Sequence, residues 1–211
     1  MPDAILFDYW RSSAAYRVRI ALNLKGIAYQ AVPVSLADGE QRGDAYRARN
    51  PQGFVPMLKM AGARLTQSLA IFDFLDAQVP EPPFVPSDPA GRAHVLALAL
   101  TVACDIHPLN NLRVLNHLRD EFGLSEEARN QWIARWIGEG LAALEALAAP
   151  RAGRFLYGDT VGMADMCLVP QLYNARRFQV PLDAYPTLLR ADASAAALPA
   201  FAAAHPDQVK P

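Results

Sequence analysis

The first residues able to do chemistry together are Arg11, Ser12 and Ser13, in the stretch "YWRSSAAYRVRIAL" (9–22). They fall where an apolar run suited to a strand gives way to the apolar spacing of a helix. A helix N-terminus presents unpaired N–H groups and a partial positive charge, so it favours an anion. Two hydroxyl donors and a guanidinium placed there suit a phosphate, a carboxylate or a thiolate. The plainer alternative is a serine that only caps the helix, beside a solvated Arg11. No "GxxxxGK" or "GxGxxG" string is present, which argues against a nucleotide.

Other stretches extend this logic. In "TQSLAIFDFL" (66–75) Ser68 is placed to cap a helix through about Gln78, with Gln67 just before it. Two helix N-termini in one small domain can hold two anionic groups of one ligand. In "NPQGFVPML" (50–58) Pro56 stands at the entrance to a strand, where it cannot donate a ladder hydrogen bond. A cis Val55–Pro56 bond would turn the Val55 backbone outward, to pair with an extended peptide. Arg11, Arg113, Arg176 and Arg177 come from three distant stretches. Arginine's planar fork donates two parallel hydrogen bonds to a carboxylate, although a solvated or structural role is the default for Arg176.

The elements that must position these residues follow from periodicity. "AILFDYW" and "YQAVPV" (29–34) read as buried strands, and between them Ser12 to Lys25 reads as an amphipathic helix closed by Gly26 at C′. Residues 38–49 suit an irregular second helix, and "VPMLKMAGARLTQ" (55–67) a hairpin turning at "AGA". With the helix at Ser68 the order is β-α-β-α-β-β-α, so residues 1–80 form one α/β domain. "PEPPFVPSDP" (80–89) carries five prolines and makes a stiff linker over 81–89. Residues 90–211 read as an all-helical domain, with helices over 90–120, 125–148, about 163–178, and 185 to near 204.

Composition sets limits on partners. Of 211 residues 52% are hydrophobic and 19% charged, with a net charge of −1, so no basic field gathers nucleic acid. "MPDAILFDYW" lacks the pattern of a signal peptide, and the apolar run "HVLALALTVAC" is too short to span a bilayer. Cys104 and Cys167 sit in apolar helical patterns and are expected buried and reduced. A cytoplasmic chain without a membrane or nucleic-acid partner is the expectation. His94, His117 and His205 lack metal-ligand spacing, so no metal is expected. Glu126 and Glu127 suit a helix start after Ser125, and Trp132 and Trp136 a packed helix face.

The element order, "VP" before the third strand, "QS" before the third helix and the helical second half resemble a cytosolic glutathione transferase. The strings "RSSAAYRVRIAL", "NPQGFVPML", "QSLAI", "DIHPLNNLRVL", "GDTVGMADMCLVPQLYNARRF" and "YPT" are similar to its zeta class, from about residue 4 to 206. That resemblance implies a thioredoxin-like N-terminal domain, a helical-bundle C-terminal domain and a homodimer. It implies glutathione as cofactor, its thiolate held by Ser12 with Ser13 as the adjacent donor. Val55, before Pro56, would pair with the cysteinyl backbone, Gln67 and Ser68 would hold the γ-glutamyl end, and His107 or Asn111 would touch the tripeptide. Arg177, preceding Phe178, would face the substrate with Arg11 and Arg113, and Arg11 would also meet charge developing in the reaction.

The implied substrates are small dicarboxylates or keto acids with a cis double bond. The implied reaction is glutathione-dependent isomerisation of maleylacetoacetate to fumarylacetoacetate, in the catabolism of aromatic amino acids and related aromatic compounds. Isomerisation of maleylpyruvate, or conjugation of small α-halo acids with loss of halide, are the alternatives. A non-catalytic module on the same fold is a further class, against which Ser12, Gln67 and Ser68 speak together. The sequence departs from the family at Ala14, where the eukaryotic zeta pattern has cysteine. It departs again at Gly162, where threonine is usual, although Gly162 can still cap a helix with Asp165 reaching back to it.

Overall fold

The computed structural model describes residues 3–210; residues 1, 2 and 211, at the ends of the two expected domains, lie outside them. Strand β1 (Ala4–Asp8) buries alternate residues, as a half-buried strand should. Helix α1 (Ser13–Leu24) is buried from Ala15 to Leu22, Arg17 and Arg19 included. It returns the chain to β2 (Tyr29–Pro33), parallel to β1 with Leu6 opposite Ala31. A 3₁₀ turn at Glu40–Arg42 and the short α2 (Asp44–Arg47) follow. Strands β3 (Met57–Met60) and β4 (Ala63–Thr66) form the expected hairpin, turning through Ala61 and Gly62 at φ 48° and 78°. Positive φ at both central residues matches the strand twist. The sheet order is β2-β1-β3-β4, with Leu58 antiparallel to both Leu6 and Leu65.

Helix α3 (Ser68–Gln78) turns Ile71, Phe72 and Leu75 inward. The start of the proline-rich stretch is tied to this unit by a buried cation. Lys25 Nζ donates to Asp76 Oδ1 at 2.7 Å and to the Pro82 carbonyl at 2.6 Å, and lies 4.1 Å from the centre of the Phe84 ring.

The helical unit begins with α4 (Pro89–Leu100), where Asp88 caps Gly91 N–H. The expected helix over 90–120 is interrupted. A π-helical turn (Thr101–Ile106) and a 3₁₀ turn (His107–Asn110) separate α4 from α5 (Leu112–Asp120). Pro108 supplies no N–H, and Asn111 re-caps the chain through Arg113 N–H. Cys104, expected buried, is exposed in the π turn, whereas Cys167 is buried. By composition Pro89–Asp120 is longer than the apolar run read from the sequence and reaches a membrane span's requirement, an 18-residue window within it having a mean hydropathy of 1.3. It is not one α-helix, and α4 packs within this unit.

Helix α6 (Glu126–Ala148) is capped by Ser125 and opens with Glu126 and Glu127, as its sequence indicates. Trp132 and Trp136 meet edge to face, 5.6 Å apart. Gly140 lets Ile106 lie where a Cβ would stand. Helix α7 (Met163–Arg177) starts at Gly162, whose N–H donates to Asp165 Oδ2 at 2.9 Å. Helix α8 (Pro186–Ala196) receives the Glu145 carboxylate on its Thr187 and Leu188 N–H groups.

The chain does not continue helically to 204 as expected. It breaks after α8, and Pro199 opens the short α9 (Pro199–Ala204), followed by α10 (Pro206–Val209). Two compact units result: one up to Phe84 together with the segment from Ala197, the other Val85–Ala196. The closing segment, assigned from the sequence to the helical domain, packs instead on α1, with Phe201 and Ala204 buried.

Candidate active site

The β1–α1 turn brings Arg11, Ser12 and Ser13 to one helix start. Ser12 is the N-cap: its Oγ accepts the Ala15 N–H at 3.2 Å, and its own N–H donates to the Tyr9 carbonyl at 2.8 Å. Accepting at Oγ leaves the hydroxyl proton for an anion in front of the helix. Ser13 is buried in the first turn. Arg11 is exposed, with its guanidinium 5.0 Å from the Trp10 ring centre and Nη2 3.4 Å from the Tyr9 hydroxyl.

The second helix start differs from expectation at the residue level. Ser68 does not cap α3; it is the first helical residue, and Gln67 is the N-cap, at φ 67°. Gln67 Nε2 donates to Gln52 Oε1 at 2.9 Å. Ser68 is buried, and its Oγ receives Arg17 Nη1 at 3.4 Å. A buried guanidinium thus stands under the start of α3, whose first turn carries no acidic residue.

Between these starts runs the segment before β3, and Val55–Pro56 is cis. The Phe54 carbonyl accepts from Tyr46 Oη at 2.7 Å and Asn50 Nδ2 at 2.8 Å, which fixes the residue next to Val55. Burial pushes the Tyr46 hydroxyl up to about 12, so it stays a donor at neutral pH. Gly53 at φ 65° is required twice over, since a Cβ would also meet the Gln41 carbonyl at 2.8 Å. Gln41 itself is buried with no hydrogen-bond partner for Oε1 among the described residues. A cavity of about 440 Å³ opens behind the β1–α1 turn, lined by Asp8, Trp10, Arg19, Tyr29 and Val209 among others. Burial raises the Asp8 carboxyl above its ordinary range, and Arg19 opposes that shift.

The remaining candidates belong to the helical unit. His107 opens the 3₁₀ turn, Asn111 caps α5, and Arg113 follows on its exposed face. Arg177 ends α7, exposed, its guanidinium 4.5 Å from the Phe178 ring centre. Arg176 has the structural role its default suggests: Nη2 donates to the buried Asp192 at 2.6 Å. Sequence reading missed Arg17, Arg19 and Gln41. The only available signal was a pair of cations inside the otherwise apolar "YRVRIAL".

Two serine-bearing helix starts around a cis-proline strand entrance, joined to a helical unit, define a class. The family model for the glutathione S-transferase N-terminal domain matches residues 11–78, and that for the C-terminal domain matches 126–206. Maleylacetoacetate isomerase of Rhizobium meliloti (strain 1021) is 50% identical over 210 residues, 99% of either chain. A solved holo structure of a maleylpyruvate isomerase, a bacterial zeta-class glutathione S-transferase, superposes with a TM-score of 0.95. It is 47% identical, over 98% of each chain. The maleylacetoacetate isomerase of Anaeromyxobacter dehalogenans 2CP-1, solved with glutathione in its active site, is 46% identical with a TM-score of 0.88. That likeness covers 98% of this chain and 96% of the other. The chain belongs to the glutathione S-transferase family and, within it, to the zeta class.

Proposed function

We propose that this chain isomerises a cis-enoyl dicarboxylate or keto acid, maleylacetoacetate first among them, to its trans form with glutathione as cofactor. One observation carries the reading: Ser12 Oγ is engaged as an acceptor from Ala15 N–H, so its proton is available to an anion at the start of α1. The donor set fits glutathione, whose charged groups are recognised by hydroxyls and cations. No acidic residue lies in the first turn of α1 or α3, and Arg17 stands under Ser68.

Bound glutathione supplies a thiolate nucleophile that adds to the cis double bond and is later expelled, so that the cofactor is regenerated. Ser12 donates its hydroxyl to that sulfur and, with the α1 N-terminus, favours the ionised form of a thiol whose free pKa is about 8.5. Ser13 is the adjacent donor. Val55, before Pro56, meets the cysteinyl backbone, Gln67 and Ser68 take the γ-glutamyl end, and His107 and Asn111 are the helical unit's contacts to the tripeptide. Arg11 donates to charge developing on the conjugated carbonyl oxygen. Arg177 and Arg113 take substrate carboxylates. Ala14 leaves no protein thiol in the turn, and none is needed, because the sulfur comes with the cofactor.

Maleylpyruvate is the second reading, favoured by the likeness to a maleylpyruvate isomerase. The homodimer, the cytoplasmic location and the place in aromatic catabolism belong to the same proposal. The test is turnover of maleylacetone beside maleylpyruvate, with and without glutathione, followed by loss of the cis-enol absorbance. Strict glutathione dependence with preference for maleylacetone is expected. Preference for maleylpyruvate selects the second reading, and binding of glutathione without either turnover overturns both.

A further inference from the structure

We propose that Arg19 is the positioning residue of the Ser12 turn, holding the serine in register through the Trp10 carbonyl. This rests on the assignment of Ser12 as donor to the glutathione sulfur. Arg19 is 1% exposed, and each part of its guanidinium has a different anchor. Nη1 donates to both oxygens of Asp8 at 2.8 Å, Nη2 to the Trp10 carbonyl at 3.0 Å and Nε to the Ala204 carbonyl at 3.0 Å. The side chain lies along α1 toward its N-terminus, as helical side chains lean. In the turn, Ser12 N–H holds the Tyr9 carbonyl and Arg19 holds the next one along. Two consecutive peptide units before Arg11 and Ser12 are thereby fixed. Val34 N–H completes the frame by binding the Asp8 carbonyl at 2.7 Å.

A buried ion pair alone is a poor reason to place arginine here, because apolar residues of similar volume commonly serve a core as well or better. The fork geometry is the better reason. Lysine carries one ammonium on a flexible stem and cannot serve three separated anchors at fixed angles. Arg19 thus joins three pieces of chain, namely the end of β1, the serine turn and the end of α9, at a point two residues before the reacting hydroxyl.

The test uses the full-length chain with Arg19→Lys, beside Ser12→Ala. Without glutathione, amide exchange at Ser12 and Ala15 should quicken at least about tenfold, while amides of α7 stay unchanged. With glutathione, the ultraviolet thiolate titration should move up toward the free-thiol value of about 8.5. Turnover should fall about a hundredfold, as for a small misplacement of a reacting group, with little change in glutathione KM. Unchanged exchange at Ser12 and Ala15, or equal quickening at all amides, would overturn the assignment. Should Arg19→Lys fail to fold, Asp8→Asn keeps the shape, and it must give the same local signature more weakly; its absence also overturns the assignment. A parent protein without any thiolate signal would defeat the glutathione reading instead, and exchange without glutathione would still decide the role of Arg19.

Discussion

The two serines of the turn have different surroundings, and that difference ranks them. Ser12 lies at the helix entrance with its oxygen engaged and its proton available, whereas Ser13 is buried in the first turn. Ser12→Ala should lower turnover by about 10²–10³-fold, the usual cost of one donor to a developing or stabilised anion. Ser13→Ala should cost much less, and equal losses in a side-by-side kinetic comparison would reverse the ranking. The adjacent arginines of α7 separate in the same way. Arg177→Ala should raise substrate KM and leave glutathione affinity unchanged. Arg176→Ala should leave both unchanged but strand the buried Asp192, at a cost of about 1–3 kcal/mol. Thermal denaturation beside steady-state kinetics reads both. Ser12 was legible in the sequence because capping is a local rule. Arg17 and Arg19 were not, because Ser68, which accepts from Arg17, lies 51 residues away and Ala204, one of the three anchors of Arg19, lies 185 away.

At the scale of elements, local rules placed most helices and strands but not every terminus. Ser68 has the composition of a cap, yet Gln67 takes the position because the chain leaves β4 with positive φ there, a conformation uncommon for a residue with a side chain. The run 90–120 has continuous helical periodicity, and its break depends on Pro108, Asn111 and the close approach of Ile106 to Gly140, the last a tertiary fact. The start of α7 is legible and also titratable. Asp165 accepts from Leu156 and Gly162 N–H groups, and burial nonetheless raises its carboxyl from 3.8 to about 6. The folded state therefore holds this proton more tightly than the unfolded chain. Its contribution is full below 3.8, is lost as pH rises through about 6, and amounts to about 3 kcal/mol. Asp165→Asn has no such titration and loses an acceptor. The variant should melt below the parent, and the gap in Tm should narrow from about pH 4 to pH 7. A gap that widens over that range contradicts the assignment.

At the scale of the molecule, the division into an α/β and a helical unit was readable from the proline-rich stretch, because prolines at that density end regular structure. The return of the last segment was not readable. Its helices have the composition of those before them, and only the apolar face of α1, with Asn23 donating to the Ala200 carbonyl at 2.9 Å, decides where they pack. Ending the chain at Ala196 should therefore destabilise the N-terminal unit. Amide exchange should rise throughout α1 and remain near normal in α6 and α7. Equal loss of protection in both units would mean that they unfold together.

The same return has a consequence for how the protein is made. Domains generally complete themselves in the order in which they leave the ribosome, the N-terminal one first. Here the first unit cannot cover α1 or satisfy Arg19 Nε until Ala204 has been translated. The helical unit, contiguous from Val85 to Ala196, has all its residues earlier. The nascent chain thus carries an unfinished α/β unit while the whole helical unit is being made, and Arg19 gains its third anchor only after that.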